Sequence, residues 1–227
     1  MTLKIYDNLT QGTDEWLEAR RGIVTASVVG QLITTRTMKP ANNDTSRGLM
    51  MTLLAERITG FIDPVYVSED MLRGTMEEPI ARQAYADHTG TEVKQVGFMA
   101  WEDIGDTHLG YSPDGLVGDD GLIEIKSRRP KKHVKTILED RVPPENVAQI
   151  QCGLLVSGRA WLDYVSFCSG MPLWIKRVYP DDQWADAIMS AVAKFEELAA
   201  QSLTIYTART DGMPVMERTH FDEELTF

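Results

Sequence analysis

The chain has 227 residues, of which 43% are hydrophobic and 25% charged, enough for one good core and one to two domains of an ordinary soluble globular protein. No segment approaches the ~18 uncharged apolar residues of a membrane span, the start from Met1 to Asp7 lacks a secretory apolar run, and Cys152 and Cys168, the only cysteines, are too few for a disulfide framework, a four-cysteine metal centre or an Fe–S site. The net charge of −11 argues against a general nucleic-acid binder, because non-specific affinity comes from Lys and Arg on phosphates. The expected compartment is the cytosol, with both thiols buried.

In chain order, Thr13-Asp14-Glu15 reads as a helix start, with Arg20-Arg21 in the last turn and Gly22 as the stop. Thr25 opens a second helix through Val28, Val29, Leu32 and Ile33, followed by a polar, irregular stretch over 35–47. Further helices are expected over about Ser46–Ile58, stopped by Gly60, and Thr75–His88, stopped by Gly90. Strand signals follow at Val93–Trp101, Thr107–Tyr111 and Leu122–Lys126. Pro143-Pro144 precedes a helix through Val147, Ile150, Leu154 and Leu155 to Gly158. Trp161–Phe167 and Leu173–Tyr179 alternate as strands around the turn Ser169–Pro172, and Asp181–Gln201 is a long amphipathic helix. No internal repeat or low-complexity linker interrupts the pattern. One α/β domain over 1–227, with a central mixed β-sheet flanked by helices, fits best, and 205–227 forms a C-terminal tail.

The stretch with the most chemistry is Tyr111-Ser112-Pro113-Asp114-Gly115 followed by Ile123-Glu124-Ile125-Lys126. Side chains alternate along a strand, so Glu124 and Lys126 share one face and Ile123 and Ile125 the other. The apolar face is expected to pack inward and the charged face to meet water. A carboxylate, an ammonium and the Asp114 turn together supply oxygen ligands for a hard cation and a charge to steady a nucleophile. Taken alone the pattern is weak, since most such matches are solvated faces. Other features stand beside it. Gly74 to Pro79 opens a helix, where Thr75 and Glu78 also fit a capping box. Arg20 and Ser27 flank a helix break that could hold an anion, although each also reads as an ordinary helix-end residue. Gln149 and Gln151 sit in an otherwise apolar helix, where a glutamine needs a partner. Arg128, Arg129, Lys131, Lys132, His133 and Lys135 make a local basic run on an acidic chain.

From Gly12 to about Phe195 the chain resembles the bacteriophage lambda exonuclease and YqaJ-type viral recombinase family, within the restriction-endonuclease-like PD-(D/E)XK nuclease superfamily. The resemblance is carried by Gly12 to Leu17, Arg20 to Ser27, Gly74 to Pro79, Ser112 to Gly115, Glu124-Ile125-Lys126 and Ala148 to Gln151, in the family's order and spacing. It implies a restriction-endonuclease-like fold and a catalytic set of Glu78, Asp114, Glu124, Lys126 and Gln149. Asp114, Glu124, the Ile125 carbonyl and Glu78 would ligate Mg²⁺, with Mn²⁺ substituting. Arg20, Ser27 and Ser112 would bind a 5′-phosphate, and Met71 would separate the strands. If the three acids converge, each close pair repels by roughly 1 kcal/mol in water and about 4 at an effective dielectric of 20. One lysine cannot balance them, whereas a divalent ion suits an all-oxygen shell.

The implied activity is 5′-to-3′ exonucleolysis of linear double-stranded DNA, leaving 3′ tails for a single-strand-annealing recombinase, by a ring-shaped homotrimer. The acidic tail Val215 to Phe227 is a candidate docking segment for that recombinase. The basic run and the tail depart from the family pattern. The rivals are a site-specific or structure-specific endonuclease with the same acids, and a non-catalytic DNA-binding module, which would be expected to have lost an acid or the lysine.

Overall fold

The computed structural model describes residues 2–64, 66–102 and 109–218. In chain order the elements are β1 (Thr2–Tyr6), α1 (Asp14–Arg20), β2 (Val24–Thr25), α2 (Ala26–Val29), β3 (Ile33–Thr34), β4 (Lys39–Pro40), α3 (Asp44–Thr59), α4 (Glu69–Thr89), β5 (Val93–Lys94) and β6 (Phe98–Glu102). They continue with β7 (Leu109–Tyr111), β8 (Gly115–Val117), β9 (Gly121–Ser127), α5 (Pro130–Glu139), α6 (Pro144–Ser157), β10 (Trp161–Phe167), β11 (Trp174–Val178) and α7 (Asp182–Thr210). A single 3-10 turn, Gly30–Leu32, joins α2 to β3.

The α/β class holds, and the β-structure divides into two larger sheets and a small hairpin. One sheet has the order β1-β6-β7-β2, the other β11-β10-β9-β8-β5, and β3 pairs with β4. The second sheet is mixed: β9 is parallel to β10 and antiparallel to β8. The chain crosses from the first sheet to the second between Tyr111 of β7 and Gly115 of β8, so Ser112-Pro113-Asp114 lies at the junction.

Strand β9 lies between β8 and β10, with a core on each face. Leu122 packs into the larger core with Tyr111, Ile150, Leu154 and Tyr164, while Ile123 and Ile125 pack with Ala81, Tyr85 and Val165. This corrects the expectation that one face of the strand meets water: Glu124 is only 1% exposed. The strand runs between α6 and α4, so Glu124 is buried and only Lys126 and Ser127 at its end are partly exposed.

Helix α4 starts earlier than expected. Ser68 caps it by accepting from the Met71 N–H at 3.2 Å, so Thr75 is interior and its hydroxyl donates to the Met71 carbonyl. The Thr75–Glu78 capping box is therefore absent, and Pro79 lies inside the helix. Gly74 and Thr75 look like a helix opening because both have low helix propensity, yet tertiary packing carries the helix through them. The expected strand Val93–Trp101 is two strands, β5 and β6, and Thr107 lies outside the described residues. The expected second helix shortens to α2 plus the 3-10 turn, with Ile33 already extended. Helix α7 runs to Thr210, so residues 205–210 of the expected tail are helical. Within the candidate docking segment, Val215 and Met216 are exposed, and 219–227 lie outside the described residues.

Candidate active site

Three elements bring the acids together. Asp114 sits on the turn between the sheets, Glu124 and Lys126 on β9, and Glu78 on α4. A cavity of about 290 Å³ is lined by Glu78, Asp114, Glu124, Ile125, Lys126 and Gln149, and also by Arg20, Ser27 and Ser112. All the residues expected to act on phosphate therefore face one space. Met71 is half exposed and lines two adjoining clefts, each of which includes Glu78.

Every oxygen of Glu124 is held. Oε1 accepts from Lys126 Nζ at 2.7 Å and from Gln149 Nε2 at 2.5 Å, and Oε2 accepts from the Tyr111 hydroxyl at 3.1 Å. Gln149 is thus the glutamine that faces the site. Gln151 points away, donating to the Tyr179 carbonyl and accepting from the Asp181 N–H. Asp114 Oδ2 accepts from the Ile125 N–H at 2.6 Å. The β8–β9 pairing ends at Gly115 opposite Ile123, so the carboxylate stands where the next strand partner would. The N–H and C=O of a strand residue point to the same side, which turns the Ile125 carbonyl toward Asp114 as well.

Burial, then the Glu124 charge, holds Asp114 well above the usual carboxylate range, with Lys126 pulling the other way. For Lys126 burial acts downward, but Glu124 and then Asp114 outweigh it and keep the ammonium above its ordinary value. Burial raises Glu78 against the downward pull of Arg82, with which it forms an ion pair. Glu78 pairs with Arg82 while lining the same cavity as Asp114 and Glu124, and no three His, Cys, Asp or Glu side chains among the described residues stand together as a ready metal site. The recess nevertheless fits a hard divalent cation. Its donors are carboxylate and carbonyl oxygens, and two buried acids share one lysine.

The opposite end of the cavity carries positive charge. Arg20 donates to Ser112 Oγ at 3.1 Å and Thr25 Oγ1 at 3.5 Å, and Thr25 Oγ1 lies 3.1 Å from Ser27 Oγ. Its guanidinium stacks on Trp16 at 3.9 Å, and the Trp16 indole N–H donates to both Ser112 Oγ and the Gly97 carbonyl. No carboxylate among the described residues forms an ion pair with Arg20. Burial draws it down to about 10, with Glu56 acting in the opposite sense. A guanidinium set among hydroxyls, with no ion pair among the described residues, suits an anion.

Sequence reasoning left Tyr111, Thr25, Trp16 and Arg82 without roles here. Arg82 had a findable signal, since it lies one helical turn from Glu78. The basic run separates. Arg128 reaches Asn146 and the Tyr164 hydroxyl, His133 is buried between Ser166 and the Pro172 carbonyl, and Arg129 pairs with Asp70. Both cysteines are buried, as expected. No described helix is long and apolar enough to cross a membrane.

Comparisons with known proteins identify the family and the fold. The model of the YqaJ-like viral recombinase domain matches residues 15–160. The alkaline exonuclease LHK-Exo from Laribacter hongkongensis is 32% identical over 89% of this chain and 100% of its own, with a TM-score of 0.78, and its complex with dAMP matches equally. A phage-related exonuclease from Haemophilus somnus 129PT shares the fold at 12% identity, with a TM-score of 0.60 over 81% of this chain and 96% of its own. A comparison with curated proteins gave no significant match. The family match spans well over half of the chain and includes the Asp114 turn, Glu124 and Lys126, so this protein belongs to the YqaJ-like viral recombinase family.

Proposed function

We propose that the protein is a divalent-metal-dependent exonuclease that digests the 5′-ended strand of linear double-stranded DNA, releasing mononucleotides and leaving 3′ single-stranded tails. The observation that carries this reading is the joining, in one cavity, of the Asp114–Glu124–Lys126 recess to an Arg20 guanidinium that forms no ion pair among the described residues. A small cavity with an acid end and a cationic end suits a strand terminus, with its 5′-phosphate on Arg20, Ser27 and Ser112 and the next phosphodiester over the acids. The dAMP complex of LHK-Exo supports a mononucleotide product.

Asp114, Glu124 and the Ile125 carbonyl would hold Mg²⁺, or Mn²⁺ in its place, with Glu78 behind them. When bound, the ion would supply Lewis-acid stabilisation of charge developing on the phosphate. The chain's own groups do the rest. Lys126, kept cationic by Glu124 and Asp114, offers its ammonium to the attacking water and the phosphoryl oxygens. Gln149 and Tyr111 fix the Glu124 carboxylate from two sides, so its direction does not depend on substrate. Arg20 sets the register by gripping the terminal phosphate, and Met71, exposed at the neighbouring clefts, is the apolar wedge between the strands. The same reading includes a homotrimer around the duplex, a cytoplasmic setting, and a single-strand-annealing recombinase that takes up the 3′ tail, for which 215–227 is the docking segment.

The test uses purified protein with Mg²⁺ on linear duplexes bearing 5′-phosphoryl or 5′-hydroxyl ends, beside a covalently closed circle. Mononucleotide release is expected from the phosphorylated linear duplex, slower release from the hydroxyl form, and none from the circle. Cutting of the circle would favour an endonuclease instead.

A further inference from the structure

Helix α4 carries a residue that neither packing nor helix propensity explains. Gly74 lies in its interior, where glycine is less stable than alanine. A Cβ built there would meet nothing within 4 Å, so no described neighbour requires its absence. In α6, by contrast, a Cβ on Gly153 would run into the Tyr111 ring. Gly74 does line a cleft of about 320 Å³, which runs between Met71, Gly74 and Glu78 of α4 and Ile125, Lys126 and Ser127 of β9. The cleft shares Glu78, Ile125 and Lys126 with the acid cavity, so the two spaces adjoin. Residues three and four apart share a helix face, which sets Gly74 between Met71 and Glu78. A methyl at Gly74 would tilt toward the helix N-terminus, to the Met71 side.

We infer that Gly74 keeps a passage open along α4 for the unpaired 5′-ended strand, between the Met71 wedge and the acids, an inference that rests on the exonuclease reading of the site. The sugar-phosphate backbone would lie against the bare helix turn, where any side chain would take up its room. The facing wall is tied in place. Ser127 Oγ accepts from Arg73 Nε at 3.0 Å and donates to Glu77 Oε2 at 2.5 Å, which fastens β9 to α4. Arg73 also pairs with Asp70, and Asp70 with Arg129 just after β9. A side chain added at Gly74 therefore displaces the strand rather than the protein. Moving a reacting group by about 1 Å can cost ~10²-fold in rate.

Stability and activity should change in opposite directions. Gly74→Ala should raise the melting temperature by about 1–4 °C and lower kcat/KM on 5′-phosphorylated linear duplex at least about tenfold. Gly74→Gln, with another good helix former and a longer side chain, should melt no lower than the wild type and lose more activity. Gly48→Ala, in α3 and equally open, should gain stability with activity unchanged. A duplex mismatched over its first few 5′ base pairs needs no strand separation, so the Gly74→Ala deficit should persist on it. Wild-type turnover by Gly74→Ala, a lowered melting temperature, an equal loss in Gly48→Ala, or full rescue by the mismatched end overturns the inference. A wild-type protein without exonuclease activity on linear duplex would instead overturn the exonuclease reading.

Discussion

Asp114 has two tasks on two oxygens. Oδ2 satisfies the Ile125 N–H at the point where β8 gives out, and the other oxygen is left for the recess. The first task is structural: an alanine there would leave a buried donor unpaired at about 1–3 kcal/mol. Asparagine keeps an acceptor for that N–H and removes only the charge that burial and Glu124 already oppose. Asp114→Asn should therefore melt at or above the wild-type temperature by circular dichroism while losing cleavage, and normal turnover would remove Asp114 from the chemistry. Lys126→Ala separates another pair of roles. It deletes the cation on Glu124 Oε1 but no metal-facing oxygen, so Mn²⁺ binding should persist while turnover falls by roughly two orders of magnitude or more. A preserved rate would make Lys126 a strand residue only.

At the scale of elements, the direction of Glu124 depends on how closely α6 approaches β7. A Cβ on Gly153 of α6 would meet the Tyr111 ring at 2.7 Å, and that ring is pinned at its hydroxyl by Glu124. Gly48 of α3 is exposed, with nothing within 4 Å of such a Cβ. Alanine in an open helix gains about 0.5–1 kcal/mol over glycine, whereas overpacking a filled core costs about 1–3. Gly48→Ala should thus raise the melting temperature and leave activity alone. Gly153→Ala should lower both, because the displaced ring carries Glu124 with it; equal melting shifts would mean that the ring yields freely. The contact was invisible in the sequence, where Gly153 is one small residue in an apolar helix. What was legible there was local. Alternation put Glu124 and Lys126 on one face, and Gly22, Gly60, Gly90 and Gly158 marked helix ends. What was hidden is non-local. The start of α4 is set by packing rather than propensity, Asp114 substitutes for a strand neighbour, and α5 arises within a charge run that reads as surface although His133 and Thr136 are buried on its inner side.

For the whole molecule the question is how a chain of net charge −11 binds a polyanion. The cavity itself holds two cations, Arg20 and Lys126, and Lys131 and Lys132 of α5 are exposed and free of ion pairs among the described residues. Against them stand the acid pair in the recess and the long-range field of the acidic body, which repels phosphate until the recess is neutralised. Long-range repulsion is screened within about 10 Å at 0.1 M salt, but charges within a cavity are screened far less. DNA affinity should consequently depend on a divalent ion more than on ionic strength. Ca²⁺, which supplies charge to oxygen ligands without the strict octahedral geometry of Mg²⁺, separates binding from cleavage. Fluorescence anisotropy of a 5′-phosphorylated duplex at fixed ionic strength should show Kd falling at least about tenfold from EDTA to Ca²⁺, the equivalent of roughly 1.4 kcal/mol. Asp114→Asn, with one repelling charge fewer, should bind more tightly than the wild type in EDTA and respond less to Ca²⁺. If Kd is the same in EDTA and Ca²⁺ for both proteins, the acid recess does not govern access, and surfaces such as the lysines of α5 carry the duplex by themselves.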